Sequence, residues 1–139
     1  MTIDERIRNI ASETFPEWTF VFDDWYKADK TIGKVQLPVM LELLPVAGAI
    51  TLRNGMVRNQ QTCAIAFLDR VTRDAQGDDQ SEVYNRMVTA AEKFVRALNA
   101  SGAFEPVENV TYYVIYEQTA TIVTGVYLDL TLVETIGRC

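Results

Sequence analysis

Asp79–Gly102, DQSEVYNRMVTAAEKFVRALNASG, is the stretch whose reading decides the fold. Val83, Met87, Ala90, Ala91, Phe94 and Leu98 recur at i, i+4, i+7, i+8, i+11 and i+15, which is one apolar face at 3.6 residues per turn. Glu82, Arg86, Glu92, Lys93 and Arg96 fall mostly off that face. Asp79 with Glu82, or Ser81 alone, can accept from the free N–H groups of the first turn. Gly102 can take the left-handed conformation that ends a helix. The spacing predicts one long helix over about 80–101. Its stripe holds one ring among small side chains, which suits packing on a flat sheet. A stripe of Met and Phe is far more often core than a ligand box, and is read as core.

The blocks on either side read as strands. Upstream, Thr62–Val71, TCAIAFLDRV, has apolar residues on both faces: Cys63, Ile65 and Phe67 on one, Ala64, Ala66 and Leu68 on the other. The small alanine face is the expected seat of the helix. Downstream, Val107–Glu117 and Ile122–Val133 alternate and are joined by a short connection at Gln118–Ala120, so they predict a long antiparallel hairpin. Ala49–Arg53 and Met56–Asn59 flank Asn54-Gly55, a strong two-residue hairpin signal.

Nearer the start, Ile3, Ile7, Ile10 and Ala11 share a helical face, and Pro16 stops that short helix. Trp18–Tyr26, WTFVFDDWY, reads as a strand from its aromatic and β-branched residues. KADKTIGK reads as a turn. Leu37–Pro45 reads as an edge strand, because Pro38 lacks a backbone donor. Glu42, alone in that apolar run, is expected to face water or a partner subunit. The fold class is α+β: a mixed, largely antiparallel sheet with a short N-terminal helix and one long helix packed on it. No linker, repeat or low-complexity segment divides residues 1–139, so a single domain is expected. A helix of about 22 residues spans roughly 33 Å and cannot cover both faces of such a sheet. The N-terminal helix or another subunit must cover the second face.

Composition removes much chemistry. The chain has 139 residues and no histidine, which excludes Ser-His-Asp and Cys-His catalysis and His-ligated metal sites. Cys63 and Cys139 are too few for a structural zinc site. They pair only if the tail folds back, and two ordinary thiols fit a reducing compartment better. GxGxxG, GxxxxGK[ST] and EF-hand spacings are absent, so no cofactor is expected. Net charge is −6 and the pI near 4.6, which argues against nucleic acid as partner. No apolar run approaches the roughly 20 residues of a membrane span, and the N-terminus lacks the apolar core of a signal peptide. The expectation is a soluble protein, cytoplasmic or assembled into a virion.

What remains for catalysis is carboxylates: Asp23, Asp24, Glu42, Asp69 and Asp129. Paired, they could hold Mg²⁺ or run acid–base hydrolysis. The plainer reading of Asp23-Asp24 is a charged break that discourages edge-to-edge pairing. A binding module using Trp18, Trp25 and Tyr26 is a second alternative. No catalytic residue is assigned.

The blocks QTCAIAFLDRV (61–71), SEVYNRMVTAAEKFVRALNASG (81–102) and TGVYLDLTLVETIG (124–137), in this order of elements, resemble phage tail-terminator and minor tail proteins and related head–tail connector subunits of prophages. The resemblance implies a structural, non-catalytic subunit that forms a ring and contacts tail-tube or connector proteins. Expected subunit contacts are Pro38, Met40 and Glu42 on the edge strand, Asn54 and Gly55 at the hairpin, and Tyr113, Tyr127 and Asp129 on the closing hairpin.

Overall fold

The computed structural model describes residues 1–71, 76–118 and 122–135. In chain order they form α1 (Ile3–Thr14), β1 (Thr19–Asp23), α2 (Trp25–Ile32), β2 (Val39–Leu43), β3 (Ala47–Arg53), β4 (Met56–Arg70), α3 (Gly77–Ser101), β5 (Thr111–Gln118) and β6 (Val123–Val133). The α+β class holds. Six strands make one mixed sheet in the order β1-β2-β4-β6-β5, with β3 paired to β4 beside β2. Only β1 and β2 run parallel; the other pairs are antiparallel.

The long helix forms as its stripe predicts. Val83, Met87, Ala90, Ala91, Phe94 and Leu98 are all buried, and Gly102 ends the helix at φ 71°. Its start lies a little earlier than expected. Gln76 is the N-cap, and its N–H donates to Asp79 Oδ2 at 3.1 Å. Part of the acidic loop before it, residues 72–75, lies outside the described residues, as do the 119–121 connection and Cys139.

The helix sits on the other face of β4 from the one expected. Cys63, Ile65 and Phe67 pack with Met87 and Phe94, while Ala66 and Leu68 face away. Phe67 is a ring laid against Phe94 at 5.8 Å between centroids, so an aromatic pair and not a row of alanines fills that layer. α1 lies on the same face: Ile3, Ile7, Ile10 and Ala11 join the same core. It therefore leaves the second face open.

That second face is partly covered by α2, which is a correction. Residues 25–32 are a helix, not the end of a strand and a turn. Asp24 Oδ1 caps it by accepting from Lys27 N–H at 2.8 Å. Ala28 and Ile32 then pack on Val21, Leu41 and Leu68. α2 also carries the chain from β1 to β2 in parallel. β1 therefore flanks β2, and β2 is interior; the edge strand expected over 37–45 is not an edge.

Two further boundaries differ. β4 is one continuous strand of 15 residues, where two shorter segments were expected. β2 and β3 both lie along its same side, interrupted at Leu44-Pro45-Val46. The interruption is required because four residues, 43–46, stand against Cys63 and Ala64 between the last β2 pair and the first β3 pair.

The Asn54-Gly55 turn is as predicted. Asn54 has φ 52° and Gly55 φ 78°, the two positive angles of a tight hairpin turn. A Cβ on Gly55 would meet nothing within 4 Å, so only the backbone angle resists a side chain there. Gly55→Ala is expected to cost the hairpin about 1 kcal/mol. The loss should appear as faster amide exchange in β3 with an unchanged global melting temperature, because this hairpin stands outside the core. Unchanged exchange would contradict it.

Candidate functional site

The feature that stands out is the arm made by β3 and the first part of β4. Every residue of β3 is exposed. Its antiparallel register puts Leu52 opposite Val57 and Ile50 two residues along the same side. Ile50 and Leu52 are 73% exposed and Val57 68%. Three β-favouring apolar side chains thus form a stripe on a two-stranded ribbon that no helix covers. The outer edge of β3 pairs with nothing among the described residues. An isolated ribbon is marginal in water, and an apolar, unpaired edge is a template for another chain. Charge sets the arm apart as well. Between Glu42 and Asp69 the chain has Arg53 and Arg58 and no acid, although its net charge is −6. Arg58, third pair from the tip, is ion-paired with Glu105.

The expected subunit contacts divide. Asn54 and Gly55 are exposed at the tip, and Tyr113 and Asp129 are exposed on the closing hairpin. Tyr127 is half-buried and stacks on Tyr113 at 4.9 Å. Pro38 is half-buried behind a cis Leu37-Pro38 bond. Met40 and Glu42 have no surface to offer: they are 1% and 0% exposed. The expectation that Glu42 faces water or a partner is therefore corrected. Met40 and Glu42 share the face covered by α1 and α3, and parallel pairing with β1 closes the remaining side.

No donor lies within hydrogen-bonding distance of either Glu42 oxygen. Burial is the main reason its pKa rises from 4.5 to about 9. The neighbouring Asp4 carboxyl raises it further, through hydrogen bonding and through like charge, while Arg8 pulls it down. A proton on Glu42 supplies the missing donor, directed at Asp4. Asp4 Oδ1 in turn accepts from Gln61 Nε2 at 3.1 Å. The Cys63 thiol is pushed up to about 12 by burial and then by Glu42, so it stays a thiol at neutral pH.

Three of the other candidate acids are held by local bonds. Asp24 caps α2, and Asp23 Oδ1 accepts from Asp24 N–H at 2.9 Å. Asp69 pairs with Arg86 at 2.8 Å. Asp69 stands opposite Thr124 on β6, and Asp129 lies five residues further along that strand on the other face. These carboxylates do not converge. Among the described residues, no group of three or more His, Cys, Asp and Glu is placed to hold a metal ion. No helix among them is long and apolar enough to cross a membrane.

The aromatics of WTFVFDDWY are likewise split. Trp18 packs on Phe15 at 4.6 Å beneath the helical layer. Trp25 starts α2 and borders a hollow of about 440 Å³ with Tyr116 and Tyr127. Tyr26 is held by Lys30, whose Nζ lies 4.3 Å from the ring centre. A second hollow, about 370 Å³, separates α3 from β5. The exposure of the arm was signalled only by the turn dipeptide and by the lack of acids around it. The chain matches no protein-family model, and no curated protein matches it.

Proposed function

We propose that the chain is a structural, non-catalytic subunit that assembles with copies of itself into a ring through the β3–β4 arm. The kind of ring is the one its resemblance to phage tail-terminator and tail-completion subunits implies, with tail-tube or connector proteins as neighbours. The observation that carries the reading is the arm: a ribbon whose apolar stripe and free edge are left uncovered by the chain's own helices. Burying such a stripe returns about 25 cal/mol for each Å² of apolar surface removed from water. Pairing the edge satisfies backbone groups at the same time.

Static light scattering at micromolar concentration is the test. The wild type should scatter as a multiple of its 15.7 kDa mass. The double variant Ile50→Asp, Leu52→Asp should scatter as a monomer. Both positions are exposed, so its melting temperature should stay within a few degrees of the wild type. A wild type that remains monomeric overturns the reading.

A further inference from the structure

We infer that the arm of one copy seats in the groove between α3 and β5 of the next copy, making a head-to-tail contact. This rests on the ring reading and specifies its interface. The groove exists because the helical layer stops short of the sheet. α1 and α3 cover the β1 side and the middle, but β5 extends beyond α3. Val88 and Val95 on α3 face Val110 and Leu128 across a gap of about 370 Å³. The walls are apolar, as a stripe of Ile50, Leu52 and Val57 requires.

Two further observations select a second copy as the occupant. The first is charge. Glu92 and Glu108 stand on the rim beside a single cation, Arg96. The arm is the one long stretch of the chain with arginine and no acid, and Arg53 closes its tip. The second is the sheet. β5 and β3 each end the pairing on their side, so both have an unpaired edge among the described residues. An arm laid in the groove runs beside the free edge of β5. Arm and groove are different surfaces, so each copy offers one of each and the contact repeats. A repeating heterologous contact closes into a ring when the rotation permits.

The test mixes two defective variants and reads masses by native mass spectrometry. The arm variant is Ile50→Asp, Leu52→Asp; the groove variant is Val95→Asp. Each alone should be monomeric, with association weakened at least about 100-fold. Mixed in equal amounts they should form a 1:1 dimer and stop there, because only one sound arm and one sound groove can meet. Val95 is half-buried, so Tyr112→Asp, at an exposed groove position, serves as a second groove variant; circular dichroism confirms that each is folded. A groove variant that assembles like the wild type, while the arm variant does not, overturns this contact and leaves the ring reading standing. A mixture that stays monomeric also overturns the contact. A monomeric wild type overturns the ring reading and this contact with it.

Discussion

Raising the pH from about 5 to about 9 should remove several kilocalories per mole from the stability of this fold, and Glu42→Gln should abolish most of that loss. Glu42 lies on β2 beneath the two-helix layer, fully buried, with no donor at either oxygen. In the unfolded chain its carboxyl titrates near 4.5, and in the folded chain near 9. The sign follows from who holds the proton. Between those values the folded chain keeps it and the unfolded chain has released it, so rising pH favours unfolding. The stabilising contribution is complete below about 4.5 and is lost as pH climbs through about 9. The slope is roughly 1.4 kcal/mol per pH unit, which sets an upper limit of about 6 kcal/mol over the window. A domain of this size has only about 5–15 kcal/mol to lose.

Glutamine keeps the shape of the protonated acid and can donate to Asp4 at every pH. Urea unfolding of wild type and variant at pH 5, 7 and 9 isolates the effect, because all other groups titrate alike in both. The two should converge at low pH and separate as pH rises, with the variant the more stable. Stabilities that track each other within about 1 kcal/mol throughout would refute the assignment.

Much of the fold is legible in local pattern, and Glu42 shows where that legibility ends. The stripes of α1 and α3 are set by 3.6-residue spacing, and all their apolar members are buried. The β3–β4 turn is set by Asn54-Gly55, because few other pairs accept two positive φ angles. Those signals lie within a few residues of each other. The burial of Glu42 does not. It depends on β1 returning alongside β2, which depends on α2, which depends on Asp24 acting as a cap in the middle of an aromatic run. The stripe of α2 is only Trp25, Ala28 and Ile32, and a strand reading of WTFVFDDWY runs through its start. Once that helix is missed, β2 becomes an edge and its lone acid is read as facing water.

The same reasoning explains the arm. The hairpin can be read from its turn, but its isolation follows from where α1 and α3 stop, which is a matter of layers. The acid-free stretch between Glu42 and Asp69 was visible throughout. It acquires meaning only when the middle of that stretch, the β3–β4 arm, is seen to be exposed while the α3–β5 groove carries Glu92 and Glu108.

Gly125→Ala should lower stability by roughly 3–5 kcal/mol, while Gly48→Ala, at the sheet's exposed edge, should cost clearly less, about 1–2 kcal/mol. Gly125 on β6 is paired to Leu68 on one side and Ile115 on the other. A Cβ there would stand 1.9 Å from the Phe67 carbonyl oxygen. That oxygen belongs to the central strand, and both of its neighbours are hydrogen-bonded in place. Neither backbone can give without opening the β4–β6 ladder, the longest in the sheet. At Gly48 the nearest atom is also a carbonyl oxygen, of Gln60, at 2.8 Å. There too backbone must shift, but β3 is an exposed edge strand paired on one side only, so it can move outward where β6 cannot.

Thermal melts should therefore rank the two variants, with Gly125→Ala about 10 °C or more below wild type and Gly48→Ala lying between that variant and wild type. Near-equal melting temperatures would show that the close approach at Gly125 relaxes at little cost. Position also separates stability from assembly. Gly125 contacts the end of β4 furthest from the arm, so the Ala variant, measured well below its melting temperature, should associate as the wild type does. Loss of association in a folded Gly125→Ala protein would mean that strain at Gly125 reaches the arm along the β4–β6 ladder, which ends at Gln60 in the arm's base.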